Sequence, residues 1–365
     1  MRSIAKIVRK ITNSALFRMR GRMDGLKRAF RVSFPQGTTA KFSHVEQFLP
    51  EEDSEYELYQ KYFENSLREC VRVTQTKSLN GFGPHSTHVG QYIFHLRDGG
   101  VRKVAIDAHD HRTIRSQAIY DWCDIYFKSN RWPSVDYGPK VLPIPTGNAG
   151  ITLENCRFLR GLRGVKKEFD LLFVGRIWAG GDANVEHNLR LFESLAKIQC
   201  KSKLQAVIFG FDKKSEDYRK ITRRLDRAGV EWTENQIGYG ELMRLSAVSK
   251  LVVIRAGISG CIAWRMVDML AIGACIGLDR APFPEWLVPL KEGVNFLSLG
   301  IGITEDCKPA SDEDYAAICG KVESSFHGDA ALCSIRQNNA RYFDDFLSLK
   351  ESGKALTNSL FSNPL

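Results

Sequence analysis

The sequence predicts an α/β protein built on a parallel, doubly wound sheet. Apolar runs with the length of buried strands alternate with segments of helical spacing along most of the chain. Several of these runs end in glycine or in a polar turn, which is typical of strand–helix units. A length of 365 residues is enough for two domains that each bury a core of their own.

Residues 250–280, KLVVIRAGISGCIAWRMVDMLAIGACIGLDR, show this alternation most clearly. Residues 251–254 predict a buried strand, residues 262–272 have helical spacing, and residues 274–278 predict a second strand. In a parallel α/β sheet, ligands bind outside the carboxyl ends of the strands. The turn at 255–265 is therefore expected to face a site.

The chemistry of this turn predicts a phosphate-binding site. Gly257, Ser259 and Gly260 would let the backbone approach a ligand closely. The first N–H groups of the following helix would attract an anion, and Arg265 would add a cation one turn into that helix. The two glycines could instead serve only for packing at a strand–helix turn.

The rest of the second half continues the alternation of strands and helices. We predict strands and helices here from apolar runs, helical spacing and a cap at Asp182: strands 170–176, 204–211 and 295–299, and helices 182–198, 215–228, 240–249, 311–324 and 329–350.

The first half gives a weaker pattern. We predict one helix at 55–70, strands at 101–106, 124–127 and 140–144, and a connector or an early strand within 33–52. A loop rich in glycine separates the helix from the first of those strands. The segment D-A-H-D-H, which follows that strand, is expected to open a helix that runs through Tyr120.

The N-terminal arm carries most of the positive charge. Residues 1–32 contain ten Lys and Arg residues against Asp24 alone, and the whole chain has a formal net charge of +10. The remaining body is nearly neutral, so we expect no nucleic-acid partner. Apolar residues recur in the arm at steps of three and four, which predicts a basic amphipathic helix that could bind an anionic membrane surface. A targeting segment or a solvated helix would show the same pattern.

Cysteine usage and hydropathy suggest a compartment. The nine cysteines show no C-x-x-C spacing, which favours reduced thiols and the cytosol. No apolar run approaches the ~20 residues that span a bilayer. We therefore expect a cytoplasmic protein that is either soluble or peripheral at the membrane.

The second half resembles the nucleotide-binding domain of GT-B fold glycosyltransferases, of the group-1 type and its capsule- and spore-coat-like relatives. Four motifs carry the resemblance in order: LLFVGR, AVIFGF, YGELMRLSAVSKLVVI and AWRMVDMLAIGACI. In the first half, YFKSN and KVLPIPTGN resemble the acceptor domain. The resemblance implies two Rossmann-like domains that face each other across a cleft.

The same resemblance implies a domain division and a function. Residues 33–165 would form the acceptor-side domain, residues 166–330 would bind the nucleotide sugar, and the helix in 331–365 would pack back toward the first domain. Such an enzyme moves a sugar from a nucleotide-sugar donor to a glycan or lipid-linked acceptor in polysaccharide or glycoconjugate synthesis. No metal and no separate cofactor are expected. Alternatives are a non-catalytic glycan- or partner-binding protein and a nucleotide-sugar epimerase.

The resemblance also implies a donor-binding set in the second half. Asp268 falls where the family has the ribose-binding carboxylate, and Arg176, after Gly175, falls where a basic residue contacts the diphosphate. Arg265 and the turn amides at 257–260 would neutralise the leaving group. In contrast to many retaining members, a glycine, Gly260, stands where the first of two glutamates is expected. Asp268 and Arg265 could instead form a surface i,i+3 pair, and Arg176 could simply pair with a neighbouring carboxylate.

A catalytic base is expected from the first half, where Asp107, His109 and Asp110 end a predicted strand. His85 and His88 are the second choice. Asp110 could be only a helix N-cap ahead of His111. His109 and His111 flank Asp110, but such closely alternating ligands rarely complete a tetrahedral metal site.

Overall fold

A computed structural model describes residues 41–50, 54–86, 88–145, 153–180, 182–257, 260–281, 284–300 and 310–362. The predicted amphipathic arm, residues 1–32, lies outside these ranges. The described chain contains two six-stranded sheets with helices packed on them. This architecture confirms the predicted fold class of two Rossmann-like α/β layers.

The first sheet has the strand order β2-β1-β3-β4-β5-β6. Its elements, in chain order, are β1 (Phe42–Phe48), α1 (Ser54–Arg68), β2 (Val73–Thr76), β3 (Val89–Leu96), β4 (Val101–Asp107), α2 (Gln117–Trp122), β5 (Ile125–Lys128) and β6 (Val141–Pro143). Strand β3 runs antiparallel to both β1 and β4, while the remaining pairs are parallel. The prediction of a wholly parallel sheet is therefore wrong for this half.

The second sheet is wholly parallel, in the order β12-β11-β10-β7-β8-β9. Its strands are β7 (Phe169–Trp178), β8 (Ser202–Phe209), β9 (Glu231–Thr233), β10 (Ser249–Ile254), β11 (Ile276–Leu278) and β12 (Phe296–Ser298). The helices of this half are α3 (Leu153–Gly161), α4 (Asp182–Leu195), α5 (Glu216–Arg227), α6 (Tyr239–Ala247), α7 (Arg265–Ala271), α8 (Asp312–Phe326), α9 (Asp329–Tyr342) and α10 (Leu349–Ser362).

Continuous apolar runs explain the central strands. Residues 171–175 of β7 and 251–254 of β10 are buried without interruption, as expected for parallel strands that are covered on both faces. Apolar helix faces complete two large clusters of buried side chains, of which one lies in this half and the other continues into the first half of the chain. Side chains of this sheet that could contact a ligand therefore lie at the strand ends, beyond the buried core.

Three predicted boundaries are corrected. The helix expected from 262 begins at Arg265 and has only seven residues. The helix expected at D-A-H-D-H is a loop, and α2 begins later, where the Ser116 side chain caps it. The helix expected at 329–350 is interrupted by a π-helical turn at Phe343–Leu347.

The last helix, α10, packs against α1 of the first half. The Tyr62 hydroxyl donates a hydrogen bond to the Leu347 carbonyl (2.8 Å), and the Cys70 thiol contacts the Lys350 carbonyl (3.4 Å). A side chain at Gly353 would collide with the Ser66 carbonyl, so glycine permits the close approach. Residues 36–365 form one compact unit, and the boundaries 165/166 and 330/331 stay predictions. None of the described helices has the length and apolar character that a membrane crossing requires.

Candidate active site

Four arginines converge at the carboxyl edge of the second sheet. Arg176 lies two residues before the end of β7, Arg255 directly follows β10, Arg265 begins α7 and Arg280 closely follows β11. Parallel strands bring these sequence-distant positions to one edge. Strand β7 runs two residues past Arg176 to Trp178, so this arginine lies inside the strand and not at its end.

Helix and strand groups hold the arginines in place. The Arg255 guanidinium donates to Asn184 Oδ1 of α4 (2.6 Å), and that of Arg265 donates to the Val174 carbonyl of β7 (3.0 Å). The Arg176 guanidinium lies 5.8 Å from the centroid of the Phe209 ring. Each side chain is thus oriented by the scaffold before any ligand arrives.

The arginines repel one another. Burial lowers the pKa of Arg265, and the charges of Arg176 and Arg255 lower it further, against the opposing charge of Asp268. The pKa of Arg255 is lowered by burial and by Arg280, and Asp279 opposes this shift. The charged groups in these interactions are four arginines and only two carboxylates, those of Asp268 and Asp279. This excess of positive charge at a strand edge suits a multiply charged anion.

A buried network fixes the loops that carry Arg255 and Arg280. Asp279 Oδ1 accepts hydrogen bonds from the backbone N–H groups of Ala256 (2.8 Å) and Arg280 (2.9 Å). Asp279 Oδ2 lies 2.9 Å from His187 Nε2, and His187 Nδ1 lies 2.5 Å from the Tyr315 hydroxyl. Because a carboxylate only accepts, His187 Nε2 carries the proton and Tyr315 donates to Nδ1. Asp279 thereby ties the ends of β10 and β11 together.

Asp268, the predicted ribose ligand, lies beside this cluster but is only 2 % exposed. Its Oδ1 accepts a hydrogen bond from the Tyr239 hydroxyl (2.9 Å), and its charge acts on Arg265. Such burial favours a role as the counter-charge of Arg265 over direct contact with ribose.

The glycine turn is built for packing. The Gly257 N–H donates to the Cys261 carbonyl (2.8 Å), and the Gly260 N–H donates to the Gly257 carbonyl (3.0 Å). Gly260 has φ +74°, and a side chain at Gly257 would collide with Cys261. Both N–H groups already donate hydrogen bonds inside the turn. The anion contacts predicted for these amides are therefore expected from the arginine side chains instead. Ser259 lies outside the described residues.

Gly175 has a structural reason of its own. It is buried in β7, and a Cβ there would come within 3.0 Å of the Phe192 ring. The glycine therefore lets α4 pack on the sheet directly beneath Arg176.

On the opposite side of the cleft, Asp107 is fully enclosed. Its Oδ1 accepts from the His109 N–H (2.9 Å), and its Oδ2 accepts from the Tyr126 hydroxyl (2.8 Å) and from Lys128 Nζ (2.9 Å). Asp107 and Lys128 are both 0 % exposed. With its oxygens occupied and no access to solvent, Asp107 is suited to hold this loop and not to abstract a proton.

His109 is held neutral. Burial lowers its pKa to about 3, helped by the neighbouring His88, Arg115 and His111. Its ring stacks between those of His88 (4.5 Å) and His111 (4.4 Å), and its Nδ1 accepts from the His111 N–H (3.1 Å). A group with this pKa is a weak base near neutral pH. His85, the other second-choice residue, is exposed and packs against the Phe48 ring.

Asp110 is the remaining predicted base, and it bridges the two halves of the chain. Its carboxylate is hydrogen-bonded by the side chains of Cys261 and Trp264, and Trp264 directly precedes Arg265. Burial raises its pKa against the opposing effect of those contacts. Its Oδ1 is shielded from solvent and has no hydrogen-bond partner in the described part of the chain. Such an oxygen is placed to take a proton from a bound hydroxyl.

Sequence reasoning missed several residues of this arrangement. Arg255 and Arg280 each stand just beyond an apolar strand, and Asp279 stands between β11 and Arg280. A polar residue directly after a buried strand was the available signal. His187 has no such signal, because its partners Asp279 and Tyr315 are distant in sequence.

No family model and no curated protein matches this chain. Solved structures do match. A structure of HepE from Anabaena with UDP and glucose is 13% identical, with a TM-score of 0.40 over 66% of this chain and 64% of its own. A glycosyltransferase from Rickettsia africae is 12% identical, with a TM-score of 0.41 over 66% of this chain and 64% of its own.

A third structure, of E. coli trehalose-6-phosphate bound with UDP-2-fluoro glucose, is 9% identical, with a TM-score of 0.43 over 68% of this chain and 62% of its own. The chain thus spans slightly less than two thirds of the length of these three structures. One of the three is named as a glycosyltransferase. All three TM-scores lie below 0.5.

Proposed function

We propose that this protein is a glycosyltransferase that moves a sugar from a nucleotide-sugar donor to a glycan or lipid-linked acceptor. The observation that carries the proposal is the group of four arginines, opposed by Asp268 and Asp279, at the carboxyl edge of a parallel sheet. A nucleoside diphosphate brings the negative charges that this edge lacks. In sugar transfer it is also the leaving group, so its negative charge grows as the glycosidic bond breaks, and the same arginines would stabilise the transition state.

Two exposed aromatic side chains support a nucleotide at this edge. Trp178 (46% exposed) and Phe209 (38% exposed) are register partners at the ends of β7 and β8, next to Arg176. Exposed rings of this kind can stack on a base. The arginines would hold the diphosphate while one of these rings holds the base.

We assign the general base to Asp110. Its carboxylate contacts Cys261 and Trp264, just ahead of Arg265, and its unpartnered oxygen would accept the proton of an acceptor hydroxyl bound there. A base of this kind would serve an inverting transfer. The shielded oxygen of Asp110 also favours an enzyme over a protein that only binds. Binding alone gives no reason to bury a carboxylate oxygen without a hydrogen-bond partner.

The donor is tested first by calorimetry with UDP, GDP, ADP and their glucose conjugates. We expect at least one nucleoside diphosphate to bind, and the absence of binding by all of them would overturn the proposal. An epimerase would convert the bound sugar nucleotide without any acceptor, so product analysis with and without added glycan separates the two activities.

The base is tested with Asp110→Asn. We expect turnover to fall by ~10²–10⁴-fold while the affinity for the nucleoside diphosphate changes little. Asp121→Asn, at an exposed position of α2, is the matched control. Full turnover by folded Asp110→Asn would remove the base assignment and leave the donor site standing.

The N-terminal arm adds a further proposal from the sequence alone. We propose that residues 1–32 attach the protein to an anionic cytoplasmic membrane surface, where a lipid-linked acceptor is found. Co-sedimentation of the full chain with phosphatidylserine vesicles, and not with phosphatidylcholine vesicles, is expected. Deletion of residues 1–32 should abolish it, and binding that survives the deletion would contradict the proposal.

A further inference from the structure

A cluster of two histidines and a glutamate lies on the first sheet, away from the arginines. His44 and Glu46 are two residues apart on β1 and therefore share a face of the sheet, and His95 of β3 is the register partner of His44. The rings of His44 and His95 are parallel, with centroids 4.2 Å apart and an interplanar angle of 3°. The three side chains can offer ligand atoms within 4.8 Å of one another, the one such group in the described ranges.

Hydrogen bonds define the tautomer of His44. The Ser43 hydroxyl donates its single proton to the His95 carbonyl (3.2 Å) and lies 3.1 Å from His44 Nδ1. Both contacts are hydrogen bonds at the same time only when Nδ1 donates to the hydroxyl, so this tautomer satisfies the arrangement. The lone pair of His44 is consequently on Nε2, the state that a metal ligand needs, with the other ring nitrogen fixed by a neighbour.

His95 also points to a missing ion. Its Nε2 is shielded from solvent and lies 3.2 Å from Glu46 Oε2, yet it makes no well-directed hydrogen bond within the described chain. A buried polar atom without such a partner is a common sign of a bound water or ion. An ion between the two groups would satisfy both atoms.

We propose that His44, Glu46 and His95 bind one divalent cation of the zinc class. Two imidazoles and one carboxylate suit Zn²⁺, and the partial exposure of His95 (29%) and Glu46 (39%) leaves room for a water ligand.

The position of this site gives the ion a structural role. His95 pairs with Val101 at the start of β4, and Asp107 ends that strand at the cleft. Six residues of strand separate the two levels by about 20 Å. The ion would therefore join β1 to β3 without contacting the donor or the acceptor.

The test is a calorimetric titration of the full chain with ZnCl₂ in the presence of a non-thiol reductant. We expect saturable binding that weakens by at least ~10-fold in Glu46→Gln and ~100-fold in His44→Ala/His95→Ala. His327→Ala removes an exposed histidine elsewhere and should bind as the wild type does. Because nine cysteines could also take up zinc, the Co²⁺ absorption spectrum is recorded in parallel to distinguish nitrogen and oxygen ligands from thiolates.

Three results would overturn the proposal: no zinc binding by the wild type, undiminished affinity in Glu46→Gln and the double variant, or a cobalt spectrum dominated by thiolate bands. Glu46→Gln keeps the size and polarity of the side chain, so it remains informative if the double variant fails to fold. Circular dichroism of each variant without metal verifies the fold.

Discussion

The two sides of the cleft differ in how completely their charged side chains are paired with opposite charges inside the protein. In the first half, Asp107 and Lys128 are fully buried and form a direct ion pair. In the second half, the charges of Arg176 and Arg255 act on Arg265 at a strand edge, and the charge of Asp268 opposes them only in part. Where the charge is compensated within the protein, it stabilises the fold. Where the compensation is incomplete, it creates a place for a ligand.

The largest expected effect belongs to the compensated pair. Asp107→Asn leaves the Lys128 ammonium buried without its counter-charge, which costs ~3–5 kcal/mol for a broken buried pair. Urea denaturation measures this change in the free energy of unfolding. Asp107→Leu/Lys128→Met removes both charges and should recover much of the loss. A loss below ~1 kcal/mol in Asp107→Asn would mean that the pair does not support the loop.

On the side of the arginines, we expect a substitution to weaken ligand binding more than it lowers the free energy of unfolding. Arg265→Met removes a cation that repels its neighbours, together with its hydrogen bond to the Val174 carbonyl. We expect a loss of unfolding free energy below ~1.5 kcal/mol and an affinity for the bound nucleoside diphosphate that is ~10–100-fold weaker.

Arg223→Met, at an exposed site on α5, is the control for the loss of one arginine. It should leave both the unfolding free energy and the affinity close to wild type. If Arg265→Met destabilised the protein as strongly as Asp107→Asn, the contrast between the two sides would not hold.

A further effect is expected from acidification, through His109. Its pKa falls from 6.5 to about 3 on folding, so the unfolded chain binds the proton more readily. The stabilisation is complete above pH 6.5 and is lost as the pH falls toward 3. In His109→Asn, an oxygen can replace Nδ1 as the acceptor for the His111 N–H. Urea denaturation across this window should show a shallower loss for the variant, and identical slopes would contradict the assignment.

The second half was predictable because its signals are local. The strand expected at 251–254 is β10 and the helix expected at 215–228 is α5, each to within two residues. Parallel strands covered on both faces appear as unbroken apolar runs. The strand expected at 274–278 and the helix expected at 262–272 were overextended, because apolar residues continue into the buried turns on either side.

The first half was less predictable because its pairing is antiparallel and its polar residues are buried. Strand β3 was missed, since Gln91 and Gly90 interrupt its apolar run while both are buried beneath neighbouring elements. The loop at D-A-H-D-H was predicted as a helix, because the sequence does not show that Asp107 forms a buried ion pair with Lys128. At the candidate site, the sequence predicts Arg176, Arg265 and Asp110, whose roles stay predictions, and the strand order places Arg255 and Arg280 at the same edge of the sheet.

The docking of α10 on α1 limits when the first half of the chain can finish folding. Leu356, Leu360 and Phe361 lie in or against the same buried cluster as Phe42 and Tyr62, more than 280 positions earlier. Phe361 contacts the Phe42 ring directly, with centroids 5.2 Å apart. During synthesis the first sheet leaves the ribosome long before α10 has been made. The interior of the first half therefore closes only after α10 has been synthesised and has docked.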